Sequence, residues 1–217
     1  MSKEINDILK NDHRDFDHGK LEDNYGSDPV KLFNQWFQYA FENNVQESNA
    51  MIISSIGEDG FPSNRVVYMK ELLEEGFVFY TNYTSKKAAD ISNSDKIAAL
   101  FFWTEIERQV RIQGHVEKVP AELSDMYFNS RPRSSQLGAW ASNQSSKIQS
   151  REELENQLKF YDDKFEGQPV PRPEHWGGYV LKPKYFEFWQ GRPSRLHDRI
   201  CFEKKADDSW EVFRINP

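Results

Sequence analysis

Hydrophobic residues change their spacing near residue 50. Before that point they recur at intervals of three and four, which places them on one face of a helix: Phe33, Trp36, Phe37, Ala40 and Phe41. Asp28 is a favourable N-cap residue and Pro29 suits the first helical position. The pattern therefore predicts one amphipathic helix over about residues 29–43.

Beyond residue 50 the apolar residues form short β-rich runs separated by turn residues. The runs at 51–56 and 64–70 flank Gly57-Glu-Asp-Gly60 and predict a hairpin. Other runs predict strands at 77–80, 97–103, 109–119, 178–181, 185–189, 195–203 and 210–215.

Three further helices are expected between these strands. One covers residues 85–92, and a second runs through Leu123 and Tyr127 until Pro132 stops it. Ser150 and Glu153 form a capping box that opens a third, which extends to about Phe165. About eight short strands with interspersed helices predict an α+β fold, in which an antiparallel barrel closes on itself and helices pack outside.

Composition refines the domain organisation. Residues 1–28 hold four Lys/Arg and eight Asp/Glu with few large apolar residues, and are expected to form a mobile arm. The remainder, 29–217, is expected to be a single domain whose core draws on 16 Phe, 9 Tyr and 6 Trp. A net charge of −7 argues against a broad electrostatic grip on nucleic acid or anionic lipid.

Features that the sequence lacks limit the cellular compartment and the types of site to be expected. The single cysteine, Cys201, can form neither an internal disulfide nor a multi-thiolate metal site. The most apolar run, 97–103, is far shorter than the roughly 20 residues of a membrane-spanning helix. The acidic N-terminus does not resemble a signal peptide, so a cytoplasmic protein is expected. Phosphate loops, zinc motifs and nucleophile elbows are absent from the sequence, and no metal is expected.

A local basic bias runs against the overall acidity. Residues 127–151 contain four Lys/Arg and no acid. Tyr127 and Arg131 are four residues apart, and Pro132 turns the chain so that Ser135 can return towards them. A phenol, a guanidinium and a hydroxyl could together hold one phosphate. The alternative is a solvated basic loop.

A second cationic group stands at the start of the helix expected at 85–92. Lys86 and Lys87 there oppose the positive end of the helix dipole, and a bound phosphate would reverse that cost. Two exposed lysines tolerated by solvent are the alternative. Arg65 and Lys70 have opposite parity on one expected strand, which predicts that they point to different sides and serve different ligands.

A third group lies near the C-terminus. If residues 195–203 form a strand, Arg195, His197 and Arg199 share one face, where a negative group or an electron-rich ring would relieve their mutual repulsion. A wet outer face of the sheet explains them equally well.

Several motifs follow one another along the chain: Asn64-Arg-Val-Val-Tyr-Met-Lys70, Phe79-Tyr-Thr-Asn82, Ser85-Lys-Lys87, Glu107-Arg-Gln-Val110, Ser130-Arg-Pro-Arg-Ser-Ser-Gln-Leu-Gly-Ala-Trp140, Gln144-Ser-Ser146, Phe188-Trp-Gln-Gly191 and Arg195-Leu-His-Asp-Arg199. Taken together they resemble the pyridoxine (pyridoxamine) 5′-phosphate oxidase family, and the match runs in order from about residue 29 to the C-terminus. The Ser-Arg-Pro-Arg and Arg-Leu-His-Asp-Arg segments are the most specific. The resemblance implies an FMN-binding split β-barrel with Greek-key-like strands, and a homodimer formed with the C-terminal strands.

The resemblance also implies the site residues. FMN contacts are expected from Arg65, Val66, Val67, Tyr68, Met69, Lys70, Tyr80, Thr81, Lys86, Lys87, Gln109, Gln144, Ser145, Trp189 and Arg199. Substrate contacts are expected from Lys70, Tyr127, Arg131, Ser135, Arg195, His197 and Arg14, with Arg195 and His197 in the catalytic role. In the arm, His13-Arg-Asp-Phe16 stands where the family has a basic-aromatic lid segment, and Phe16 lacks the hydroxyl of the tyrosine that commonly ends it.

The implied activity is oxidation of pyridoxamine 5′-phosphate or pyridoxine 5′-phosphate to pyridoxal 5′-phosphate. FMN takes a hydride and passes electrons to dioxygen, which gives hydrogen peroxide, and the amine substrate also yields ammonia. The alternatives are another split-barrel flavin reductase with a nicotinamide donor, or a module that holds FMN or pyridoxal phosphate without turnover. A nucleic-acid-binding barrel is a distant third.

Overall fold

The computed structural model describes residues 15–217, in which five α-helices accompany nine strands. The helices are α1 (Pro29–Glu42), α2 (Lys86–Asn93), α3 (Ala121–Ser130), α4 (Arg133–Ala141) and α5 (Arg151–Lys164). The strands are β1 (Ala50–Ile56), β2 (Pro62–Tyr68), β3 (Glu71–Leu73), β4 (Gly76–Asn82), β5 (Lys96–Trp103), β6 (Arg108–Lys118), β7 (Trp176–Gln190), β8 (Asp198–Lys204) and β9 (Trp210–Arg214).

The strands form one curled antiparallel sheet. Its order is β2-β1-β5-β6-β7-β4-β3, and β8 pairs with both β7 and β9. This confirms the expected α+β, split-barrel class. The order ends at β2 and β3, so the described sheet is an open half-barrel and not the fully closed barrel expected. No helix among residues 15–217 is long and apolar enough to cross a membrane.

The chain divides into two compact units. The first comprises the described residues up to Ser48 together with 101–111 and 185–217. Its core is aromatic: Phe33 is fully buried with its ring centroid 5.0 Å from that of Phe101, and Trp36 meets Phe188 edge-on at 5.2 Å. Helix α1 begins as the sequence predicts, because the Asp28 carboxylate accepts hydrogen bonds from the first-turn backbone.

The second unit comprises 49–100 and 112–184. In it β1 and β2 form the predicted hairpin, with Ile53 opposite Arg65, and β4 pairs with the first part of β7. Helices α3, α4 and α5 surround a core cluster that includes Phe128, Leu137 and Trp176. The Ser150 hydroxyl caps α5 by accepting from the Glu153 N–H at 3.2 Å, as the capping box predicts.

Two local predictions are wrong, and one helix was not predicted. Residues 178–181 and 185–189 belong to one continuous strand, β7, and residues 133–141 form a helix that the sequence pattern did not indicate. The expected strand 195–203 begins only at Asp198. A 3₁₀ turn over Pro193–Arg195 precedes it, with φ of 58° at Ser194 and 60° at Arg195. Strand alternation therefore cannot place Arg195 and His197 on one face with Arg199.

Candidate active site

A cavity of about 520 Å³ lies in the second unit and collects most of the predicted site residues. Twelve of them line it: Arg65, Val66, Val67, Tyr68, Lys70, Tyr80, Thr81, Lys87, Tyr127, Arg131, Ser135 and Gln144. The prediction that Arg65 and Lys70 point to different sides is wrong, since β2 ends at Tyr68 and both residues line this one cavity. Cofactor and substrate candidates therefore share one cleft.

The other predicted residues lie elsewhere. Met69, Lys86 and Ser145 belong to the second unit outside the cavity wall; Ser145 has φ of 73° and lines a smaller adjoining pocket. Arg14 is outside the described residues. The remaining five belong to the first unit: Gln109, Trp189, Arg195, His197 and Arg199.

Lys87 forms the centre of one polar cluster in the cavity. Its ammonium, on a side chain buried at the start of α2, donates to Thr81 Oγ1 at 2.8 Å, Gln144 Oε1 at 2.7 Å and Ser85 Oγ at 3.2 Å. Burial and the charge of Arg65 lower the pKa of Lys87 to about 8. All three acceptors are neutral, so the ammonium retains an uncompensated charge.

A buried carboxylate holds the neighbouring cations. Asp90 accepts from Ser55 Oγ at 2.7 Å and from Lys86 Nζ at 3.3 Å, and Ser55 in turn accepts from Arg65 Nη1 at 2.7 Å. Burial opposes ionisation of Asp90, but these hydrogen bonds and the Lys86 and Arg65 charges outweigh it and lower its pKa. Two cations, Lys86 and Arg65, pair with one anion here, and the Lys87 charge lies close to Arg65, so the cluster keeps an excess of positive charge that suits a phosphate.

Aromatic rings form another wall. Tyr80 and Tyr127 stack with centroids 4.0 Å apart, and Trp176 lies parallel to Tyr80 at 5.5 Å. The Arg131 guanidinium sits 4.6 Å from the Trp176 ring centroid. Burial raises the pKa of Tyr80 to about 12, and it also raises the pKa of Tyr127, so both hydroxyls stay protonated.

Two buried polar atoms face this wall without a hydrogen-bond partner among residues 15–217. They are Arg131 Nη1 and the Tyr80 hydroxyl. Burial lowers the pKa of Arg131, but from so high a value that it stays charged. An unpaired buried guanidinium nitrogen is costly and is a common feature of a site that awaits an anion.

The chain around Pro132 explains how Arg131 and Ser135 come together. Helix α3 ends at Ser130, Arg131 is extended, and α4 restarts at Arg133. The Ser135 N–H donates to the Pro132 carbonyl at 2.8 Å within the new first turn. Ser135, Tyr127 and Arg131 therefore line the same cavity, although Arg131 lies beyond the end of the helix that carries Tyr127.

The first unit carries a separate cluster. His197 Nδ1 accepts the Arg192 backbone N–H at 3.1 Å, and the His197 ring lies 4.7 Å from Trp189. Burial and nearby Arg195 lower the pKa of His197, which favours its neutral form. Arg199 donates from Nε and Nη2 to Glu187 Oε1 at 2.9 and 2.8 Å.

Sequence reasoning missed three residues of these clusters. Asp90 and Glu187 are buried acids that orient cations, and Trp176 contributes an aromatic wall. A local signal existed only for Asp90, which follows Lys86 by one helical turn. The other two gain their roles through contacts between distant segments.

Comparison of the chain with known proteins shows the family to which it belongs. The family described as pyridoxamine 5′-phosphate oxidase matches residues 37–159, and the pyridoxine 5′-phosphate oxidase C-terminal dimerisation region matches residues 176–217. A pyridoxine/pyridoxamine 5′-phosphate oxidase of Cytophaga hutchinsonii is 53% identical over 87% of this chain and 88% of its own. One from Leptospira interrogans is 50% identical over 88% and 90%.

Solved structures agree with the fold. PhzG from Burkholderia lata, in complex with tetrahydrophenazine-1-carboxylic acid, has a TM-score of 0.85 and 28% identity over 90% of this chain and 95% of its own. A pyridoxamine 5′-phosphate oxidase-related, FMN binding protein of Nostoc punctiforme has a TM-score of 0.70 at 15% identity, covering 88% and 100%. The chain therefore belongs to the pyridoxamine 5′-phosphate oxidase family and is an oxidase.

Proposed function

We propose that this oxidase converts pyridoxamine 5′-phosphate and pyridoxine 5′-phosphate to pyridoxal 5′-phosphate with FMN and dioxygen, as a step of vitamin B6 metabolism. Hydrogen peroxide is released, and ammonia as well from the amine. The observation that carries the proposal is the buried, unpartnered Arg131 Nη1 in a cavity that Tyr127 and Ser135 also line. Such a donor set recognises a phosphate monoester.

The residues of the cavity also fit FMN. Among the described residues, the Lys87 ammonium donates hydrogen bonds only to neutral acceptors. It lies at the start of α2, close to the charge of Arg65. Backbone N–H groups at a helix start and a cationic side chain together suit the phosphate of FMN. The stretch from Val66 to Tyr68 supplies an apolar edge of the same cavity, which suits a flat ring system.

The protein's part in the reaction is binding and orientation, and bound FMN supplies the redox chemistry as the hydride acceptor. The substrate phosphate is anchored by Arg131, Ser135, Tyr127 and Lys70, and this anchoring sets where the reacting carbon lies in the site. His197 and Arg195 contact the pyridine ring of the substrate. The neutral His197 donates a hydrogen bond from Nε2, because Nδ1 already accepts from Arg192. No general base is assigned.

The proposal includes a homodimer. A match to a named dimerisation region over residues 176–217 supports it. That region contains Trp189, Arg195, His197 and Arg199, so the segment that forms the dimer also carries the second group of predicted ligand contacts.

A second candidate substrate is a carboxylated tricyclic compound of the kind bound to PhzG. The structural similarity of PhzG to this chain, with a TM-score of 0.85, supports this candidate. The higher identity to the B6 phosphate oxidases, 53% against 28%, favours the phosphate substrates. So does the unpartnered Arg131, since a phosphate takes more hydrogen bonds than a carboxylate does.

The deciding experiment uses the purified protein in air. We expect yellow flavin absorbance, and on addition of pyridoxamine 5′-phosphate the appearance of aldehyde, peroxide and ammonia in equal amounts. Unphosphorylated pyridoxamine is the matched control and should be turned over poorly. Activity only after addition of NADPH would indicate a flavin reductase, and bound flavin without peroxide would indicate a binding module. Either result contradicts the proposal.

A further inference from the structure

We infer that Phe16 is a positioning residue for His197 and that it acts through its aromatic ring alone. The ring occupies a space that is open only because residue 191 is a glycine. This inference rests on the proposed function, in which His197 contacts the substrate. The two residues are far apart in sequence, and Phe16 lies in the segment that precedes α1.

The ring contacts form a closed triangle. Phe16 meets His197 edge-on, with centroids 5.4 Å apart and an interplanar angle of 80°, and it meets Trp189 in the same way at 5.6 Å and 88°. Trp189 and His197 are themselves 4.7 Å apart. Edge-to-face packing of this kind restricts ring rotation, so His197 is held on two sides by aromatic neighbours.

The imidazole is held at a third point by the backbone. The Arg192 N–H donates to His197 Nδ1 at 3.1 Å, which fixes the ring orientation and leaves Nε2 as the protonated nitrogen. Phe16 therefore adds rotational restraint to a ring whose tautomer is already set. A tyrosine hydroxyl is not needed for that restraint.

Polar contacts fasten the Phe16 segment to the same unit. The His18 N–H donates to Glu107 Oε2 at 3.0 Å, and the Leu21 N–H donates to Asp198 Oδ2 at 3.1 Å. Arg192 Nη1 donates to the Gly19 carbonyl at 2.8 Å. Asp198 is the first residue of β8 and follows His197 directly, so the residue next to the histidine also holds the segment.

Gly191 sets the space for Phe16. A Cβ at position 191 would lie 2.7 Å from Phe16 Cδ1 and 2.8 Å from its Cβ and Cγ. The Gly191 backbone cannot retreat easily, since its N–H donates to the Glu107 carbonyl at 2.8 Å. A methyl group there would therefore displace Phe16 rather than the strand.

The first test measures the His197 ring without any turnover. His197 is titrated by NMR in the FMN-loaded protein, with the signal assigned from a His197→Gln variant. Phe16→Ala should raise the His197 pKa, because burial is the main cause that lowers it, and should broaden the ring signal. The charged groups near His197 in space or in sequence are common to both proteins: Arg195, Arg192, Asp198, Asp15 and Asp17.

The second test measures turnover of pyridoxamine 5′-phosphate. Phe16→Ala should lower kcat by about ten-fold with little change in KM, since a misoriented contact costs rate more than binding. Phe16→Tyr should restore kcat, and Gly191→Ala should reproduce Phe16→Ala without adding to it in the double variant. Phe41→Ala, which removes an exposed ring from α1 of the same unit, is the control and should change neither readout.

The outcomes separate the two proposals. A Phe16→Ala protein with the wild-type His197 titration and the wild-type kcat overturns the positioning role. A wild-type protein that fails to oxidise B6 phosphates overturns the proposed function, and the NMR titration then still decides whether Phe16 holds the histidine. Additive losses in the Phe16→Ala, Gly191→Ala double variant would contradict the assignment of Gly191.

Discussion

Two arginines only two positions apart have opposite surroundings. Arg131 Nη1 is buried beside the Trp176 ring and has no partner among residues 15–217. Arg133 donates to the backbone carbonyls of Phe165 and Gln168, both at 2.9 Å, and so ties α4 to the end of α5. The first guanidinium is free for a ligand, whereas the second is already used by the fold.

The pair provides a matched test of the phosphate anchor. Arg131→Ala should raise KM for pyridoxamine 5′-phosphate by roughly 10- to 100-fold, the equivalent of about 1.5–3 kcal/mol for a hydrogen bond to a charged group, while FMN stays bound. Arg133→Ala should lower the melting temperature and leave KM nearly unchanged. Equal loss of substrate affinity and FMN in Arg131→Ala would contradict separate phosphate sites.

Lys87 gives the cofactor site a pH dependence. Its pKa of about 8 in the free protein rises when a phosphate binds beside it, so binding takes up a proton above that pH. FMN affinity should therefore fall as pH rises from 8 towards 10, measured by quenching of flavin fluorescence. Lys87→Met should bind FMN more weakly at neutral pH and lose most of this dependence. A wild-type affinity that stays flat over this range would exclude Lys87 from the phosphate site.

Residue spacing predicted side chains that line the cavity better than it predicted the residues that orient them. Tyr127, Arg131 and Ser135 could be grouped because they lie close together in sequence, on either side of the turn at Pro132. Asp90 was not predicted because its role in the site depends on a hydrogen bond from Ser55, which is 35 positions away. The prediction that Arg65 and Lys70 point to different sides is wrong because strand alternation does not continue past Tyr68, where β2 ends.

At the scale of elements, the long strand β7 shows why periodicity was insufficient. Lys182-Pro-Lys184 interrupts the apolar pattern and looks like a break between two strands. Residues 176–181 pair with β4 and residues 185–190 pair with β8, so Pro183 lies where the strand changes partner. A missing N–H is tolerated at such a point. The turn before β8 was missed because its positive φ values fall on Ser194 and Arg195, where the sequence has no glycine to indicate them.

Close packing between β6 and β7 requires a glycine at position 114. A Cβ there would overlap the Lys182 carbonyl oxygen and lie 2.8 Å from its carbonyl carbon. Gly114→Ala should therefore destabilise the protein by about 1–3 kcal/mol, measured by urea unfolding. Gly138→Ala on α4, where no neighbouring atom lies within 4 Å of the added carbon, should instead stabilise it by roughly 0.5–1 kcal/mol. An unchanged midpoint for Gly114→Ala would show that the two strands can separate without cost.

On the scale of the whole molecule, turn residues and alternating apolar runs were sufficient to predict an antiparallel α+β fold. They did not indicate whether the sheet closes. Closure depends on whether the two edge strands pair with each other, and strand patterns do not show which strands lie at the edges. In the structure the edges are β2 and β3, which are consecutive in sequence. The outer face of β1 and β2 adds a property that strand patterns alone do not explain. Ile52 lies opposite Val66, and these side chains are 37% and 59% exposed.

Apolar side chains on an outward sheet face are typical of a covered surface. The dimerisation match, over residues 176–217, supports a second copy of this chain, and we expect that copy to cover this face as well. Light scattering should therefore give about twice the chain mass of 25.6 kDa, with one FMN per chain. Ile52→Glu should yield the monomer and weaken FMN retention, because Val66 belongs both to this face and to the cavity wall. Phe41→Glu, a charge placed at a 72% exposed site on α1, is the control and should remain dimeric. A monomeric wild-type protein would contradict the homodimer, whereas a dimeric Ile52→Glu protein would place the interface on another face.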